Sequence, residues 1–513
     1  MNKKSTLLLI ALIVLTAMPV FSAGQQQGAA ADTKPQNRDV LVVGMPSDPR
    51  SLDPHATNDQ PSARVMRQIY EPLMHQNEQL EISNGLVSDV RVINPTTYEF
   101  TIPSNIRFHN GEILTANDVR FTFERMRQVN APAAFLVAAL DRVEVINPTT
   151  FRMILKYPFG PFLTHLAHPA TAILNERAVR EAGDNYGERP VGTGPFKFVE
   201  WRRGDSLLLD RFDEYHGGQA ASRQVRFRFI TEDASRTIAL ETGEVDIIYD
   251  VGPQDFNNLA AVPGVNAISS TGLTTFYMGF NVAKRPFDDV RVRRAINLAL
   301  NVPQATQVAF RGHATPAKGP LAPTVMFANT DLPGYDYNPD EARRLLREAG
   351  FPNGFTTTMW TNDNPIRIMY AEIFQEQLAN VGITASIEIM EFAPYLDRTA
   401  RGEHDMFMLG WVAVTGDADY GMYSLFHSSQ FGDAGNRTFW GHPEVDRLLD
   451  EARVSQDPEA RRRAYYRAQE IVFEEAPWVF LAFRNDLAAH RTWNEGFVPH
   501  AAGHHQLFRV RNR

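Results

Sequence analysis

The sequence predicts an α/β fold whose lobes share several chain crossings. At 513 residues the chain is long enough for two or three domains. Strand and helix patterns alternate along it without a long linker. Between residues 355 and 411 the patterns run strand, helix, strand, helix, strand, and this order implies parallel strands joined by right-handed crossovers.

Two loops of this segment lie at the carboxyl ends of predicted strands. The loop "TNDNP" follows Trp360, and the loop "VAVTGDADY" follows Trp411. In open α/β sheets, ligands bind in the crevice at this edge. The topology therefore predicts a binding crevice beside both loops.

Capping patterns predict the ends of two helices. In "YNPDEARRLLREAGF", Asn338 can cap the helix, Pro339 suits its first turn, and Gly350 ends it. In "LTANDVRFTFERM", Thr115 and Asp118 have the spacing of a capping box.

A repeated pattern predicts two hairpins. The stretch "VINPTTYEFTI" (residues 92–102) returns as "VINPTTFRMIL" (residues 145–155), and each joins two strands through Asn-Pro-Thr-Thr. We expect the hairpins to build one small mixed subdomain. The stretch "GTGPF" (residues 192–196) lacks the third glycine of a phosphate-binding loop, and it predicts a tight turn that enters a strand.

The amino terminus predicts export from the cytoplasm. Two lysines precede an apolar run (residues 7–21), and small residues follow, which is typical of a cleaved signal peptide over residues 1–23. Residues 24–37 are rich in Gln, Ala and Gly, which predicts a flexible leader. The chain has no cysteine to carry a lipid anchor, so we expect a free periplasmic protein.

Charge and motif content argue against several functional classes. A net charge of −9 and the lack of a basic patch disfavour nucleic-acid binding. No Walker loop, G-x-S-x-G elbow or H-E-x-x-H helix occurs, so the sequence predicts no enzyme and no cofactor. His500, His504 and His505 offer a metal site as an alternative, although Gly, Ala and Pro around them disfavour an aligning helix.

Asp417 and Asp419 form an acidic pair without local cations, because no Lys or Arg occurs between residues 402 and 436. A carboxylate without a protein cation is free to bind the cation of a ligand through charge-assisted hydrogen bonds. The alternatives are a polar turn held by Gly416 and Gly421, or a glycosidase-like carboxylate pair. Two residues apart in an extended loop, at most one carboxylate would enter a pocket directly.

Five ordered stretches resemble the solute-binding proteins of peptide-type ABC transporters, the bacterial extracellular family 5 that includes dipeptide, oligopeptide, glutathione and nickel binders. The stretches are "SLDPHATNDQPSARVMRQIYEPLM", "FHNGEILTANDVRFTFERM", "VGTGPFKFVEW", "FYMGFNVAKRPFDDVRVRRAINLALN" and "GWVAVTGDADYGMYSLFHS". The resemblance spans roughly residues 40–510.

The resemblance implies two lobes that close on a ligand about a hinge, with an extra subdomain on the larger lobe. Lobe I would comprise residues 38–80, 190–272 and 486–513, and the appended subdomain residues 81–189. Lobe II would comprise residues 273–485, with residues 274–281 crossing between the lobes.

The resemblance also implies a role for Asp417 as the partner of a peptide's amino-terminal ammonium. Ala418 stands where family members often have proline. Dipeptide-specific members carry a basic residue near the loop that matches "WTNDNP", and this loop has none, although Arg367 follows it on the helix. The remaining expected ligand contacts are the candidate walls Trp411, Tyr420 and Trp360, the polar groups Thr415 and Asn362, and the loop residues Gly416 and Asp419.

We therefore expect the substrate-binding component of an ABC importer that acts as a monomer. It would bind a short peptide or a glutathione-like, ammonium-bearing solute and deliver it to the membrane permease. The alternatives are a nickel or metal-chelate binder on the same fold, a chaperone-like peptide binder, and, from a different class, a hydrolase.

Overall fold

The computed structural model describes residues 39–129, 131–433 and 435–513. The predicted signal peptide (residues 1–23) and leader (residues 24–37) lie outside these residues. None of the helices in the described ranges is both long enough and apolar enough to cross a membrane.

Nineteen strands occur within the described residues. They are β1 (Val40–Met45), β2 (Met74–Gln76), β3 (Ile82–Asn84), β4 (Asp89–Asn94), β5 (Thr97–Thr101), β6 (Leu140–Asn147), β7 (Thr150–Leu155), β8 (Phe196–Arg202), β9 (Ser206–Arg211), β10 (Gln224–Phe229), β11 (Ile247–Ile248), β12 (Val265–Phe280), β13 (Ala314–Pro316), β14 (Thr356–Asn362), β15 (Thr384–Met390), β16 (Met406–Val412), β17 (Trp478–Arg491), β18 (Asn494–Glu495) and β19 (Arg511–Asn512).

The same residues contain fourteen α-helices. They are α1 (Gln60–Ile69), α2 (Ala116–Gln128), α3 (Phe162–His165), α4 (Glu176–Ala182), α5 (Asp233–Glu241), α6 (Pro253–Leu259), α7 (Val290–Ala299), α8 (Val302–Phe310), α9 (Pro339–Glu348), α10 (Pro365–Ala379), α11 (Phe392–Ala400), α12 (Ala418–Phe426), α13 (Pro443–Val454) and α14 (Pro458–Glu475).

Eleven strands share one sheet, in the order β15-β14-β16-β12-β17-β11-β1-β10-β9-β8, with β13 paired to β17 beside this path. Strand β14 is parallel to both β15 and β16. Helices α10 and α11 connect these strands in chain order, so the predicted strand-helix-strand-helix-strand segment is confirmed.

The long strands β12 and β17 join the two parts of this sheet. They pair antiparallel from Val265↔Arg491 to Gly279↔Trp478. One edge of the pair carries β16, β14 and β15, here called the β14 side. The other carries β11, β1, β10, β9 and β8, here called the β1 side. Residues 274–280, which belong to the segment predicted to cross between the lobes, lie in the carboxyl-terminal half of β12 and are all buried.

The repeated pattern forms the two predicted hairpins. Strands β4 and β5 pair around Asn94, and β6 and β7 pair around Asn147. In both turns the asparagine Oδ1 accepts a hydrogen bond from the backbone N–H two residues later, at 3.0 Å. This local bond is typical of Asx turns. Pairing of β5 with β7 then closes a four-stranded antiparallel sheet.

Both predicted helix starts are confirmed. Asn338 caps α9, since its Oδ1 accepts a hydrogen bond from the backbone N–H of Glu341 at 3.0 Å. Before α2, the backbone N–H of Thr115 donates to Asp118 Oδ2 at 3.0 Å. After α9, Gly350 adopts a φ of 91°, a left-handed conformation that favours glycine.

The core of the four-stranded sheet continues into the β14 side of the molecule. Phe100 and Phe151 stack at a centroid distance of 5.3 Å, and their cluster of buried side chains includes Tyr420 and Trp478. One continuous core thus joins side chains from residues 73–173 to side chains from residues 273–480. The lobe boundaries that the resemblance implies stay a prediction.

The stretch "GTGPF" bends directly before β8, and its first glycine has no room for a Cβ. A Cβ on Gly192 would lie 2.1 Å from the carbonyl oxygen of Ile69. We predict that Gly192→Ala lowers the free energy of unfolding by about 1–3 kcal/mol, the usual cost of overpacking, as measured by urea denaturation.

The matched control is Gly410→Ala, because the new Cβ would meet no atom closer than 3.4 Å. We expect this control to unfold at nearly the wild-type urea concentration. Equal stability of the two alanine variants would contradict the steric explanation.

Candidate functional site

A large cavity lies between the β1 side and the β14 side of the main sheet. Its volume is about 1780 Å³ when the space open to solvent is counted. Arg64 on α1 and Asp250 after β11 line it from the β1 side, while Asn362 and Trp411 line it from the ends of β14 and β16. Residues of both sides line the cavity, so a ligand bound in it would contact the β1 side and the β14 side at once.

Three of the residues predicted to contact a ligand line this cavity: Trp411, Tyr420 and Asn362. The rings of Trp411 and Tyr420 lie 5.2 Å apart between centroids. The Tyr420 hydroxyl is held by a 3.0 Å hydrogen bond to Nε2 of His168, which comes from the segment after α3. Both predicted loops therefore contribute to one wall.

The other five predicted contacts lie outside the cavity lining: Trp360, Thr415, Gly416, Asp417 and Asp419. Trp360 is buried within β14 and carries the guanidinium of Arg398 at 4.4 Å from its ring centre. Thr415 supports the loop, since its Oγ1 accepts a hydrogen bond from the backbone N–H of Asp417.

The premise that Asp417 lacks a protein cation is wrong. Arg461 on α14 donates from Nη2 to Asp417 Oδ1 at 2.7 Å, and both side chains are buried. The same oxygen accepts the backbone N–H of Asp419, so Asp417 also caps α12. A search for cations near Asp417 in the sequence misses Arg461, because 44 residues separate the two.

Asp419 is also paired inside the protein. Its carboxylate is fully buried, with Arg453 Nε at 3.0 Å and His165 Nε2 at 3.1 Å. The Tyr465 hydroxyl donates to Oδ1 at 3.2 Å. These partners come from α13, α3 and α14, so Asp419 ties three helices to the start of α12.

Burial affects the two carboxylates differently. Burial raises the pKa of Asp417, and the negative charge of Asp419 adds to this effect despite the opposing charge of Arg461. Burial also opposes ionisation of Asp419, but the charge of Arg453 and the hydrogen bond from His165 outweigh it and hold the pKa at about 2. Asp419 is therefore ionised at neutral pH and serves as the fixed anion of the network.

The histidines near the carboxyl terminus do not form a metal site within the described residues, where no group of three or more His, Asp or Glu side chains could hold an ion. His505 Nδ1 accepts the backbone N–H of His500, and His504 Nε2 pairs with Gln60 Oε1 at 2.7 Å. Burial lowers the pKa of both His500 and His505 to about 3.

Most cavity arginines are neutralised by carboxylates. Asp250 binds Arg64 at 2.5 Å and Arg484 at 3.0 Å, and Arg236 binds Asp233 at 2.5 Å. Although burial opposes ionisation of Asp250, Arg64 and Arg484 hold its pKa below the usual range. Sequence reasoning missed Asp250 and its partners because they lie 186 and 234 residues apart along the chain.

Arg367 is the exception among these cavity cations. Its Nη1 donates to Asn362 Oδ1 at 2.6 Å, its guanidinium lies 5.3 Å from the ring centre of Phe276, and its Nε has no hydrogen-bond partner. No carboxylate in the described part of the chain forms a salt bridge with it. Burial lowers the pKa of the guanidinium. Arginine side chains nevertheless stay protonated in proteins, so Arg367 carries a positive charge.

Ion pairs also bridge the β1 side and the β14 side at the cavity. Arg50, which follows β1, donates from Nη2 to Asp397 Oδ1 on α11 at 2.5 Å. Arg50 also lies 3.7 Å from Asp433, which in turn lies 3.3 Å from Arg437. Arg50, Asp433 and Arg437 line the cavity, so these charges hold its two walls together.

A family model described as bacterial extracellular solute-binding proteins, family 5 middle, matches residues 81–433. The glutathione-binding protein GsiB of Escherichia coli K12 is 32% identical to the chain over 471 residues, covering 89% of this chain and 91% of GsiB.

Two solved structures are similar over nearly the whole chain. The ABC transporter-associated periplasmic binding protein DppA from Helicobacter pylori, in complex with the peptide STSA, has a TM-score of 0.87 and 29% identity, covering 92% of this chain and 98% of that one. The oligopeptide-binding protein AppA from Bacillus subtilis, in complex with a nonapeptide, has a TM-score of 0.87 and 24% identity, covering 94% and 100%. AppA shows likeness of fold alone.

We predict that Asp419→Asn destabilises the protein. Loss of the fixed anion leaves Arg453 buried without its counter-charge, so the free energy of unfolding should fall by about 3–5 kcal/mol at neutral pH. Asp336→Asn, which alters an exposed carboxylate, is the control and should change the free energy of unfolding little.

The loss of unfolding free energy caused by Asp419→Asn should depend on pH. The pKa of Asp419 in the folded protein, about 2, lies below its ordinary value of 3.8. Its stabilising contribution is therefore present above about pH 4 and is lost as the pH falls through 2. Urea denaturation should show the difference from wild type shrinking by about 2 kcal/mol over that range, and a constant difference would contradict the pairing.

Proposed function

Because this chain belongs to family 5 of the bacterial extracellular solute-binding proteins, we propose that its cavity captures a short peptide or a peptide-like solute that carries a carboxylate. As the substrate-binding component of an ABC importer, it delivers the solute to the permease. We propose that it does so in the periplasm as a monomer, after cleavage of the predicted signal peptide, and that it performs no reaction on the solute.

The unpaired charge of Arg367 is the observation that supports this ligand class. Arg367 is half-buried, and its Nε is shielded from solvent without a hydrogen-bond partner. A donor in this state is costly unless a ligand or water supplies an acceptor. Peptides and glutathione both carry carboxylates that a guanidinium can bind through two parallel hydrogen bonds. DppA is described in complex with a peptide and GsiB as a glutathione-binding protein, so the relatives favour the same chemistry.

The geometry changes the roles proposed for the aromatic wall and the acidic loop. We assign ligand contact to Trp411, Tyr420 and Asn362, which line the cavity. Asp417 and Asp419 receive a supporting role, because their pairs with Arg461 and Arg453 hold the start of the helix that carries Tyr420. An ammonium of the ligand would have to displace Arg461 to reach Asp417.

We propose that the β1 side and the β14 side move towards each other when the ligand binds, with β12 and β17 as the hinge. Closing the cavity removes water, and this strengthens the electrostatic contacts between Arg367 and a ligand carboxylate. The ion pair between Arg50 and Asp397 then forms across the closed cavity. A ligand can shift this equilibrium only by its difference in affinity for the two states.

We predict that Arg367→Gln weakens binding of the solute by roughly ten- to a hundredfold, the effect of losing a charge-assisted hydrogen bond in a buried site. The protein is first refolded to remove any co-purified ligand. Its affinity is then measured by calorimetric titration with glutathione, with the peptide Ser-Thr-Ser-Ala and with the hydrolysis products of both. Arg463→Gln, on the exposed face of α14, is the matched control.

If none of these probes binds the wild type, or if the Arg367→Gln and Arg463→Gln variants bind the probes with equal affinity, the proposal is wrong. Turnover of a probe at high protein concentration would favour the hydrolase alternative. Loss of thermal stability on adding a chelator would favour a metal-chelate binder.

We predict a smaller effect from the Arg50–Asp397 pair, because both side chains are partly exposed. Arg50→Gln and Asp397→Asn should each weaken ligand binding by up to about fivefold, mainly through faster dissociation. Stopped-flow release of a bound peptide measures this rate. The double variant should release ligand no faster than either single variant, and additive effects would show that the two residues act independently.

A further inference from the structure

Three residues at the junction of β14 and α10 bring opposite charges to one wall of the cavity: Asn362 ends the strand, Asp363 follows it, and Arg367 lies in the first turn of the helix. Asn362, Asp363 and Arg367, here called the head-group triad, all line it. We propose that the head-group triad binds an α-amino-carboxylate group, in which an ammonium and a carboxylate share one carbon. This inference rests on the proposed function and specifies its ligand further.

The carboxamide of Asn362 bridges the two charges. Its Oδ1 accepts a hydrogen bond from Arg367 Nη1 at 2.6 Å, and its Nδ2 donates one to Asp363 Oδ1 at 3.0 Å. The opposite orientation of this amide would set Nδ2 against a cation and Oδ1 against an anion, so the two neighbours fix the orientation. One small group thus presents an acceptor to Arg367 and a donor to Asp363.

An α-amino-carboxylate, like this carboxamide, presents acceptors and donors next to each other. Its carboxylate offers acceptors and its ammonium offers donors, and both groups stem from one carbon. A ligand head group of that kind can therefore engage Arg367 and Asp363 at the same time.

Both charged members of the head-group triad have unused capacity. Arg367 forms no salt bridge to a carboxylate of the described residues, and its Nε has no hydrogen-bond partner. Asp363 forms no salt bridge to a cation in those same residues, and its Oδ2 accepts no hydrogen bond from them. Asp363 is half-buried, so its carboxylate remains open to a ligand.

The other cavity carboxylates are already occupied. Asp250 and Asp233 bind arginines, and Asp433 lies beside Arg437. Asp59 caps α1, where its oxygens accept hydrogen bonds from the backbone N–H and the hydroxyl of Ser62. Among the cavity carboxylates that the structure describes, Asp363 therefore offers the ammonium of a ligand the least contested partner.

The site around Arg367 has further unpaired donors. Trp411 Nε1 and Thr274 Oγ1 are buried and have no hydrogen-bond partner in the described residues. Thr274 shares one face of β12 with Phe276, which lies beneath the Arg367 guanidinium. Both residues line the cavity, so their donors can bind the body of a ligand.

This geometry selects among peptides by their linkage. In an α-linked peptide the terminal ammonium and the terminal carboxylate stand at least one residue apart, and each added residue separates them by up to about 3.5 Å more. In a γ-glutamyl peptide the amino-terminal residue keeps both groups on its α-carbon. The head-group triad therefore favours γ-glutamyl peptides over their α-linked isomers.

The experiment compares γ-Glu-Ala-Gly with α-Glu-Ala-Gly by calorimetric titration of the full chain after removal of co-purified ligand. The two peptides have the same composition and formal charge, so the linkage alone differs. We expect the γ-linked peptide to bind roughly ten- to a hundredfold more tightly. Equal affinity, or tighter binding of the α-linked peptide, would overturn the inference.

Two analogues of the γ-linked peptide assign each charge of the head group. Glutaryl-Ala-Gly lacks the ammonium, and 4-aminobutyryl-Ala-Gly lacks the α-carboxylate. Each deletion should cost wild type roughly ten- to a hundredfold in affinity. Asp363→Asn should abolish the cost of deleting the ammonium, and Arg367→Gln the cost of deleting the carboxylate, while each variant keeps the other cost.

Asp336→Asn and Arg463→Gln, both at exposed positions, serve as matched controls and should behave as wild type. The wild-type comparisons decide the question even if a triad variant fails to fold. Sensitivity of α-linked peptides to Arg367→Gln, without an effect of Asp363→Asn on any probe, would leave the proposed function intact and refute the head-group triad. Absence of binding by every probe would contradict both.

Discussion

The antiparallel pairing of β12 with β17 is the constraint on which the cavity depends. These are the two long strands that run past both sides of the main sheet, and they pair over nearly their whole length. The strands on both sides of the cavity therefore belong to one continuous hydrogen-bonded sheet. On the β14 side, the parallel strands β14 and β16 end at the cavity, and Asn362 and Trp411 at their carboxyl ends line it, as expected for open α/β sheets.

Charge pairing then decides which polar residues are available to a ligand. Asp417 and Asp419 are the most conspicuous acidic residues of the sequence, yet both form ion pairs with buried arginines, and these pairs fix the position of α12. Such pairs are costly to break, because removal of one member leaves the charge of the other buried without a counter-charge. Arg367 is different, since its protein partner is the neutral carboxamide of Asn362. The availability of a charge, more than its position in a motif, distinguishes supporting residues from ligand contacts.

Local patterns in the sequence were sufficient for much of the fold. The alternation around residues 355–411, the repeated Asn-Pro-Thr-Thr turns and the cap at Asn338 all depend on residues a few positions apart, and all are confirmed. The same topology brought Trp411 and Asn362 to one cavity wall. The lobe boundaries and the signal peptide stay predictions.

The partners of the acidic pair could not be predicted in this way. His165 and Asp419 meet only after the four-stranded sheet packs against the β14 side, and they lie 254 residues apart. Arg461 reaches Asp417 from another helix, so the lack of local cations gave the wrong interpretation. The importance of Arg367 becomes visible only when the pairing of every other cavity arginine is known.

A crystal structure of the protein with its co-purified ligand would test the central claim most directly. We expect a carboxylate of the ligand within hydrogen-bond distance of the Arg367 guanidinium, while Asp417 stays paired with Arg461. A ligand whose ammonium lies on Asp417, with Arg461 displaced and Arg367 without a ligand contact, would contradict it.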